Sequence, residues 1–342
     1  MTSPNLSEHA AGTVVVLAGG LSHERDVSLQ SGRQVSRALR SLGVDVIESD
    51  VDSALVGSLV DLGRPVVFPV LHGETGEDGA LREVLELLDV PFVGSTGSAC
   101  RVAFDKSIAT TVVADAKIRT PAQVALPHEI FRELGAATLV RALADRIGFP
   151  MIVKPSRSGS ALGCTKVARA EDLPAAMVAA YAYGQVAVVE EFISGTEVTV
   201  AVVDRGPSFS HGPGPVALPV VEIRPDSGIY DYTARYTPGS TRFLCPAELD
   251  DDVTEACSEL ALAVHRVLGL RDISRTDIIV PTRNGVVDGP PVFLETNVAP
   301  GMTPTSAVPL ACEAYGWSVG TMCADLVAAA AARAGRPDPR QR

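Results

Sequence analysis

Hydrophobic and polar positions alternate in two kinds of block along the first hundred residues. The apolar run at residues 13–17 ends at Gly19 and Gly20 and predicts a short buried strand. Residues 27–42 then carry apolar side chains at near-helical spacing, which predicts an amphipathic helix. Further elements are predicted as strands at 45–48, 65–70 and 91–93 and as a helix at 79–88. This alternation of strands and helices predicts a parallel sheet with helices on its faces.

The same patterns predict two further units after residue 105. The second unit has helices at 105–116 and 170–180, strands at 151–154, 165–167 and 186–191, and a glycine- and serine-rich loop at 157–163. The third has strands at 197–203, 216–223, 274–280 and 292–297, a helix at 252–268 and a terminal helix at 319–334. The predicted division of the chain is therefore 1–105, 106–197 and 198–342.

Composition and charge exclude several classes of protein. The net charge is −12 and no run of Lys or Arg forms a basic patch, which argues against a nucleic-acid partner. No apolar run approaches the ~18–20 residues that a bilayer-spanning helix needs. The six cysteines form no C-x-x-C pair, which is typical of reduced thiols rather than of a disulfide framework or a zinc site. Without the pattern of a signal peptide at the start, the sequence predicts a cytoplasmic enzyme.

Four polar residues stand out on the last two predicted strands. Arg275 and Asp277 are two positions apart on one strand, and Glu295 and Asn297 are two apart on the next. Side chains two apart point to the same face, so pairing of the strands would gather all four on one surface. Two carboxylates and an amide oxygen suit Mg²⁺ that bridges nucleotide phosphates, and a neighbouring arginine suits a reacting oxyanion. A solvated strand face with an ion pair is an equally good interpretation of these residues alone.

A glycine- and serine-rich loop follows Lys154 between two predicted strands. Its backbone N–H groups could face phosphate oxygens, and Lys154 would add a positive charge at the end of the strand. The loop lacks the G-x-x-x-x-G-K-[ST] spacing of a P-loop. An ordinary hairpin is the simpler interpretation of the loop by itself.

Two motifs at the ends of N-terminal strands and one long polar stretch suggest substrate contacts. Glu24 follows the Gly19–Gly20 pair at a predicted helix start, where a carboxylate fits a substrate ammonium better than a phosphate. Helix capping is the structural alternative for this position. His72 follows another strand, and a lone histidine there is more often structural than catalytic. The polar stretch 224–242 is too long for a tight turn and indicates a binding loop or lid.

The order and spacing of these motifs carry a resemblance that none of them carries alone. Over residues 13–334 the chain resembles the D-alanine–D-alanine ligase family of the ATP-grasp superfamily. The segments that carry the resemblance are AGGLSHERDVSLQSG, LHGETGEDGALREVLELLDVPFVGS, DKSIAT, PMIVKPSRSGSALG, VVEEFISGTEVTV, YDYTARY, SRTDI and FLETNVAPGMTPTS.

The resemblance implies an ATP-grasp fold that combines α/β and α+β architecture. An N-terminal Rossmann-like (pre-ATP-grasp) domain, 1–105, would carry substrate. A central ATP-grasp subdomain, 106–197, would carry the glycine- and serine-rich loop. A C-terminal ATP-grasp subdomain, 198–342, would carry the Mg²⁺ and oxyanion site, and the two subdomains would clasp ATP.

The resemblance also implies roles for individual residues. The implied ATP-binding residues are Lys106, Lys154, Ser160, Glu190, Glu191, Ile193, Glu197, Arg235, Leu294 and Asn297. The implied ligands of Mg²⁺ or Mn²⁺ are Asp277, Glu295 and Asn297. The implied catalytic residues are Glu24, Ser160, Tyr236, Arg275 and Gly301. The implied substrate-binding residues are Glu24, His72, Tyr236, Arg275, Gly301 and Ser306. Among these, Glu24 would bind the first ammonium, and Arg275 with the Gly301 backbone would form the oxyanion site.

The implied reaction joins two D-alanines for peptidoglycan precursor synthesis. One carboxylate attacks the γ-phosphate of ATP, and the amine of the second amino acid attacks the resulting acyl phosphate. Because an acyl phosphate hydrolyses in water, a closing lid is expected, with 224–242 and 157–163 as candidates. The implied partners are small amino acids, ATP and a second copy of the chain in a homodimer, with neither nucleic acid nor membrane.

Several positions depart from the family's usual pattern. The departures are Arg235 for a Lys, Ser158 for a Glu, Ala161 for a Ser, Ser274 for a Gly and Ala307 for a Leu. A small Ala307 would enlarge the pocket for the second amino acid. Tyr236 is retained, which favours an amine acceptor, because the depsipeptide-forming branch usually carries Phe there.

Three alternatives remain open on the sequence. A paralogue with the same chemistry could use another donor or acceptor in a biosynthetic pathway. A nucleotide-binding regulatory module would bind ATP without consuming it, although the intact catalytic motifs argue against that. A nicotinamide-dependent oxidoreductase is disfavoured because the first strand–glycine–helix unit lacks G-x-G-x-x-G.

Overall fold

The structure is a computed structural model that describes residues 12–205, 214–226, 230, 237 and 239–334. The strands in this part of the chain are β1 Val14–Leu17, β2 Val46–Ser49, β3 Val66–Pro69, β4 Gln123–Pro127, β5 Met151–Pro155, β6 Thr165–Val167, β7 Val186–Glu191, β8 Gly195–Arg205, β9 Gly214–Ala217, β10 Val221–Pro225, β11 Thr241–Leu244, β12 Ile273–Arg283, β13 Val286–Val287 and β14 Val292–Asn297. The helices are α1 Arg25–Arg40, α2 Leu55–Asp61, α3 Glu74–Glu77, α4 Ala80–Leu87, α5 Gly97–Phe104, α6 Lys106–Asp115, α7 His128–Leu134, α8 Ala136–Ile147, α9 Leu173–Tyr181, α10 Asp251–Val267, α11 Ala307–Ala314 and α12 Val319–Arg333.

The N-terminal sheet is parallel, in the order β2-β1-β3. All four residues of β1 are buried, as expected for a central strand covered on both faces. Helix α1 packs on this sheet through a stripe that includes Gly32, Val35 and Leu39. A Cβ at Gly32 would lie 2.4 Å from the Ala18 Cβ, so glycine lets the helix approach the end of β1 closely.

The second sheet is antiparallel, in the order β4-β7-β5-β6. Helices α8 and α9 cover it and share a core with β5, β6 and β7 that contains Met151, Leu173 and Met177. The turn between β5 and β6 contains the glycine- and serine-rich loop. The hairpin geometry therefore holds this loop at the end of β5, next to Lys154.

The third sheet has β8 and β12 at its centre. Its main path is β11-β10-β8-β12-β13, with β14 paired to β12 and β9 paired to β8. Strands β8 and β12 are antiparallel over nine paired residues, from Ile273↔Val203 to Pro281↔Gly195. Helix α10 packs on these two strands, and α5 and α6 share its core. A further core joins α1 and the N-terminal sheet to α12 and the third sheet through residues such as Val203 and Leu326.

Most predicted elements match those observed to within one or two residues, and two differ more. The single strand predicted at 216–223 is two strands, β9 and β10, because Pro219 has no N–H to give to a ladder. The strand predicted at 91–93 is only an isolated bridge between Val67 and Phe92. The domain division at residues 105 and 197 stays a prediction, and residue 197 lies inside β8. In the part of the chain that the structure describes, no helix has the length and apolar character needed to cross a membrane.

Candidate active site

A cleft of about 930 Å³ collects residues from elements of all three sheets. The start of α1, the loop after β3, the β5–β6 loop and strands β8, β12 and β14 all contribute to its lining. The N-terminal sheet is parallel, and ligands of such sheets lie outside the carboxyl ends of the strands, where Glu24 and His72 are. A ligand in this cleft can therefore contact polar side chains from the N-terminal unit, the β5–β6 loop and the third sheet.

Strands β12 and β14 present one charged surface to this cleft. In their antiparallel register Arg275 faces Asn297 and Asp277 faces Glu295. The Arg275 guanidinium donates two hydrogen bonds to Asp277, with Nε 2.8 Å from Oδ1 and Nη2 2.9 Å from Oδ2. Thr199 on β8 also donates to Asp277 Oδ1 at 2.6 Å. The two strands thus bring together the four side chains that sequence spacing singled out.

The charges on this surface are matched in pairs. Burial lowers the pKa of Arg275, but attraction to Asp277 outweighs burial and the pKa is raised overall. Lys106, the first residue of α6, places its Nζ 3.2 Å from Glu295 Oε2 and donates to the Ser158 carbonyl. Arg275 and Lys106 therefore each stand beside a carboxylate, in positions from which they can also attract an anionic ligand.

The glycine- and serine-rich loop closes onto the residue before α1. Ser160 donates a short hydrogen bond to Glu24 Oε1, and a Cβ at Gly159 would lie 2.6 Å from Glu24 Oε2. Ser160 and Ala161 both have positive φ values, 53° and 56°, which side-chain-bearing residues rarely adopt. Strained backbone conformations of this kind cluster at ligand sites. In this conformation the Ser160 hydroxyl donates to Glu24.

A second buried ion pair joins strands β5 and β7 of the second sheet. Lys154 Nζ lies 2.7 Å from Glu190 Oε1, and both side chains are almost fully buried. Burial lowers the pKa of Lys154, but the charges of Glu190 and Glu295 outweigh that effect and raise it. Lys154 therefore stays cationic within reach of the β12–β14 surface.

Two ionisable groups of the HGETGEDG motif are buried beside the cleft. Burial, together with the charge of Glu24, raises the pKa of Glu77 to about 8. Glu77 accepts from the Gly73 N–H at 3.0 Å and from Asn297 Nδ2 at 3.5 Å. Burial lowers the pKa of His72, so its imidazole is neutral at neutral pH.

The segment after β14 leads to the start of α11. Asn297 Oδ1 accepts from the Ala299 N–H at 2.7 Å, which turns the chain toward Gly301. Ser306, the residue before α11, accepts from the Thr303 N–H at 3.1 Å, and its Oγ lies 2.7 Å from Thr303 Oγ1. A Cβ at Gly301 would lie 2.8 Å from Ser306 Oγ, so the Gly301 backbone and this hydroxyl are neighbours. A helix N-terminus with a hydroxyl suits a carboxylate.

The donor set on β12 and β14 fits a divalent cation that is shared with phosphates. Among the described residues no group of three or more His, Cys, Asp or Glu side chains is placed to hold a metal. Asp277 and Glu295 supply two carboxylates, and Asn297 adds an amide oxygen on the same pair of strands. Mg²⁺ commonly uses one or two protein carboxylates and takes its other ligands from phosphates and water.

The predicted site residues divide into three groups. Those that line the cleft are Glu24, His72, Lys106, Ser160, Arg275, Asp277, Glu295, Asn297, Gly301 and Ser306. Those on nearby strands and the turn between β7 and β8, outside the lining of the cleft, are Lys154, Glu190, Glu191, Ile193, Glu197 and Leu294. Arg235 and Tyr236 lie outside the described residues. The assigned roles of all of them stay predictions.

Several polar residues that line the cleft were missed from the sequence, and three of them make hydrogen bonds within the site. These three are Glu77, Thr199 and Thr303. Glu77 lies five residues after His72 in the same motif. Its carboxylate, the second in that motif after Glu74, was the available signal. Thr199 and Thr303 gave none, because their roles follow from cross-strand register and from a local turn.

Family comparisons agree over most of the chain. Residues 113–328 match the model of the D-ala D-ala ligase C-terminus, and residues 47–95 match that of the D-ala D-ala ligase N-terminus. The D-alanine–D-alanine ligase of Bordetella petrii is 39% identical over 337 residues, which is 98% of each chain. That of Nitrosomonas europaea is 38% identical over 316 residues, covering 92% of this chain and 96% of the relative.

Two solved structures resemble the whole described arrangement. The VanG D-Ala:D-Ser ligase from Enterococcus faecalis superposes with a TM-score of 0.78 at 27% identity, over 94% of this chain and 99% of that one. The D-alanine–D-alanine ligase from Bacillus anthracis, solved in complex with ATP, has a TM-score of 0.75 at 24% identity, over 94% and 98%. The second similarity concerns the fold alone.

Proposed function

Because this chain belongs to the D-alanine–D-alanine ligase family, we propose that it joins two D-alanines into D-alanyl-D-alanine at the expense of ATP, for peptidoglycan precursor synthesis. The product bond forms through an acyl phosphate. The observation that carries this proposal is the meeting of Glu24 and Ser160 with the Arg275–Asp277 surface in one cleft.

Glu24 and Ser160 bind and orient the first D-alanine. The Glu24 carboxylate attracts its ammonium, and the Ser160 hydroxyl fixes the orientation of that carboxylate. The carboxylate of this D-alanine then attacks the γ-phosphate of the substrate ATP, and ADP leaves. Lys106 and Lys154 lie near Glu295, where they can neutralise phosphate charge that develops in this step.

Asp277, Glu295 and Asn297 would hold Mg²⁺ (or Mn²⁺). When bound, the ion supplies positive charge to the nucleotide phosphates. The predicted ATP contacts of Glu190, Glu191, Ile193, Glu197, Leu294 and Arg235 are part of the same proposal.

The second D-alanine completes the reaction at the other end of the cleft. Ser306 and the start of α11 receive its carboxylate. Its amine attacks the acyl phosphate carbonyl, and Arg275 with the Gly301 N–H stabilises the tetrahedral oxyanion. Inorganic phosphate then leaves with the oxygen that came from the first carboxylate. His72 and Tyr236 border the first substrate in this proposal.

ADP release tests the proposed substrates directly. Purified chain with Mg-ATP is supplied in separate reactions with D-alanine, D-serine, L-alanine and the other common amino acids, and the products are identified by mass spectrometry. We expect D-alanine alone to give rapid ADP release and D-alanyl-D-alanine. Rapid release only with another amino acid would replace this proposal with a pathway paralogue, and ATP binding without release would replace it with a regulatory module.

The same proposal includes a cytoplasmic location and a homodimer. Both rest on the family resemblance. Light scattering of the purified chain at micromolar concentration tests the homodimer, and a monomer mass would reject it.

A further inference from the structure

The segment that contains Gly301 is held in place by residues from the other end of the chain. Residues 299–302, here called the oxyanion segment, run from β14 toward α11. Ala299 and Met302 are buried at its two ends. The groups that bind both ends belong to α1 and to the loop after β3, more than 200 residues away in sequence. The N-terminal unit therefore contacts the segment on either side of Gly301.

His72 holds the first end of the oxyanion segment. Its Nδ1 lies 2.9 Å from the Ala299 carbonyl oxygen, and its Nε2 lies 3.0 Å from Ser31 Oγ. A carbonyl oxygen only accepts hydrogen bonds, so Nδ1 carries the proton. In the neutral ring Nε2 must then accept, and the Ser31 hydroxyl donates to it.

Ser31 holds the second end. With its proton given to His72, its oxygen accepts the Met302 N–H at 3.1 Å. One assignment of protons satisfies all three hydrogen bonds, and each of the three groups is buried. Ser31 thus connects His72 to Met302, and the two contacts lie on either side of Gly301.

A second buried serine on α1, Ser36, makes no contact of this kind among the described residues and serves as a comparison for Ser31. Ser36 is as fully buried as Ser31, but its Oγ has no hydrogen-bond partner in the part of the chain that is described. A buried hydroxyl stabilises only when its hydrogen bonds are made. The difference between the two serines is therefore the connection to the oxyanion segment.

We propose that Ser31 is a positioning residue for the ligation step, acting through His72 and Met302 to fix the Gly301 N–H toward the tetrahedral oxyanion. The proposal rests on the proposed function, because it assigns Ser31 to a step of that reaction. Donors to an oxyanion act through preorganised geometry, and a displacement of about 1 Å can cost ~100-fold in rate. Loss of the Ser31 hydroxyl removes the contact to Met302 and leaves the His72 ring held by its bond to Ala299 alone.

The test compares Ser31→Ala with Ser36→Ala in the full-length chain. We expect Ser31→Ala to lower the rate of dipeptide formation about 10- to 100-fold with little change in the KM for ATP. Ser36→Ala should keep the wild-type rate. ATP carrying ¹⁸O at the β,γ-bridging position separates the two steps, since scrambling of this label reports reversible formation of the acyl phosphate. The ratio of label exchange to dipeptide formation should rise in Ser31→Ala, because ligation alone is slowed.

Two further variants guard against a purely structural effect. Ser31→Cys keeps the shape with a weaker hydrogen-bonding group and should fall between wild type and Ser31→Ala, which also serves if the alanine variant does not fold. His72→Asn retains a donor for Ala299 but loses the bond to Ser31. Combined with Ser31→Ala it should cost less than the sum of the single changes, because both remove the same bond.

The failures of the two proposals are distinguishable. If wild type makes no dipeptide, the proposed function is wrong. If wild type makes dipeptide while Ser31→Ala matches Ser36→Ala in both rate and exchange ratio, the role of Ser31 is rejected. Equal slowing of exchange and ligation would also reject it, because a structural defect lowers both steps together.

Discussion

Arg275 lies in the cleft beside Asp277, and in the proposed reaction it stabilises the tetrahedral oxyanion. Arg275→Ala should lower turnover by at least about 100-fold, because it removes a charged donor to the oxyanion. ATP binding should change little, since the Lys154–Glu190 pair is untouched. Arg283→Ala is the matched control, because Arg283 lies on the same strand in an exposed pair with Asp288. Steady-state kinetics and nucleotide binding measure both effects, and parallel loss of turnover and ATP affinity in Arg275→Ala would mean that its role is structural.

For individual residues, the alternation of side chains along a strand predicted part of the site. Strand alternation placed Arg275 with Asp277 and Glu295 with Asn297, and the observed register pairs them across β12 and β14. No such rule reaches Ser31. Its bonds to His72 and Met302 span 41 and 271 residues, and only the packing of α1 against the oxyanion segment brings them together.

At the scale of elements, the β5–β6 loop should be sensitive to an added methyl group, because it lies against Glu24. Gly159→Ala would place a Cβ 2.6 Å from Glu24 Oε2 and push the loop away from the first-substrate site. We expect kcat/KM for D-alanine to fall about tenfold or more, since orientation is lost. In Gly184→Ala the nearest atom would be the Pro155 Cβ at 3.7 Å, an ordinary contact, so that variant should behave as wild type. Equal kinetics for the two variants would contradict the assigned position of the loop.

The sequence predicted the bounds of several elements closely and missed others. The ends of β6, β7 and β14 match the predicted bounds, and α1 is displaced by two residues. The elements that were missed are helices α2, α3, α5, α7, α8 and α11 and strands β4, β11 and β13. Helix α9 begins at Leu173 rather than at 170, because Pro174 suits a first turn and a 3₁₀ turn precedes it.

At the scale of the whole molecule, one buried carboxylate connects the last described helix, α12, to the N-terminal unit. Asp272, before β12, accepts from Arg333 of α12 at 2.6 and 2.8 Å and from the Gly94 N–H at 2.7 Å. Arg333→Ala should lower the free energy of unfolding by about 3 kcal/mol, because it leaves a buried charge short of its partner. Arg283→Ala should change it by less than ~0.5 kcal/mol, as expected of an exposed pair. Denaturant unfolding measures both, and similar values would contradict the role assigned to the Asp272–Arg333 contact.

Overall architecture was the most predictable level. The ATP-grasp fold and the ligase family expected from motif order are confirmed by the matching family models and by the similarity to two solved ligases. Motif order carries this information because described residues from several motifs, such as Glu24, His72, Ser160, Arg275 and Asn297, line one cleft. Roles of Arg235 and Tyr236 stay predictions, since those residues lie outside the described ranges.

The transfer of oxygen from substrate to phosphate tests the central claim most directly. D-alanine labelled with ¹⁸O in its carboxylate is incubated with the purified chain and Mg-ATP, and the inorganic phosphate released is analysed by mass spectrometry. An acyl-phosphate ligase must deliver one labelled oxygen to each phosphate, together with one ADP and one dipeptide. Unlabelled phosphate, or release of AMP and pyrophosphate instead, would contradict the mechanism assigned to this cleft.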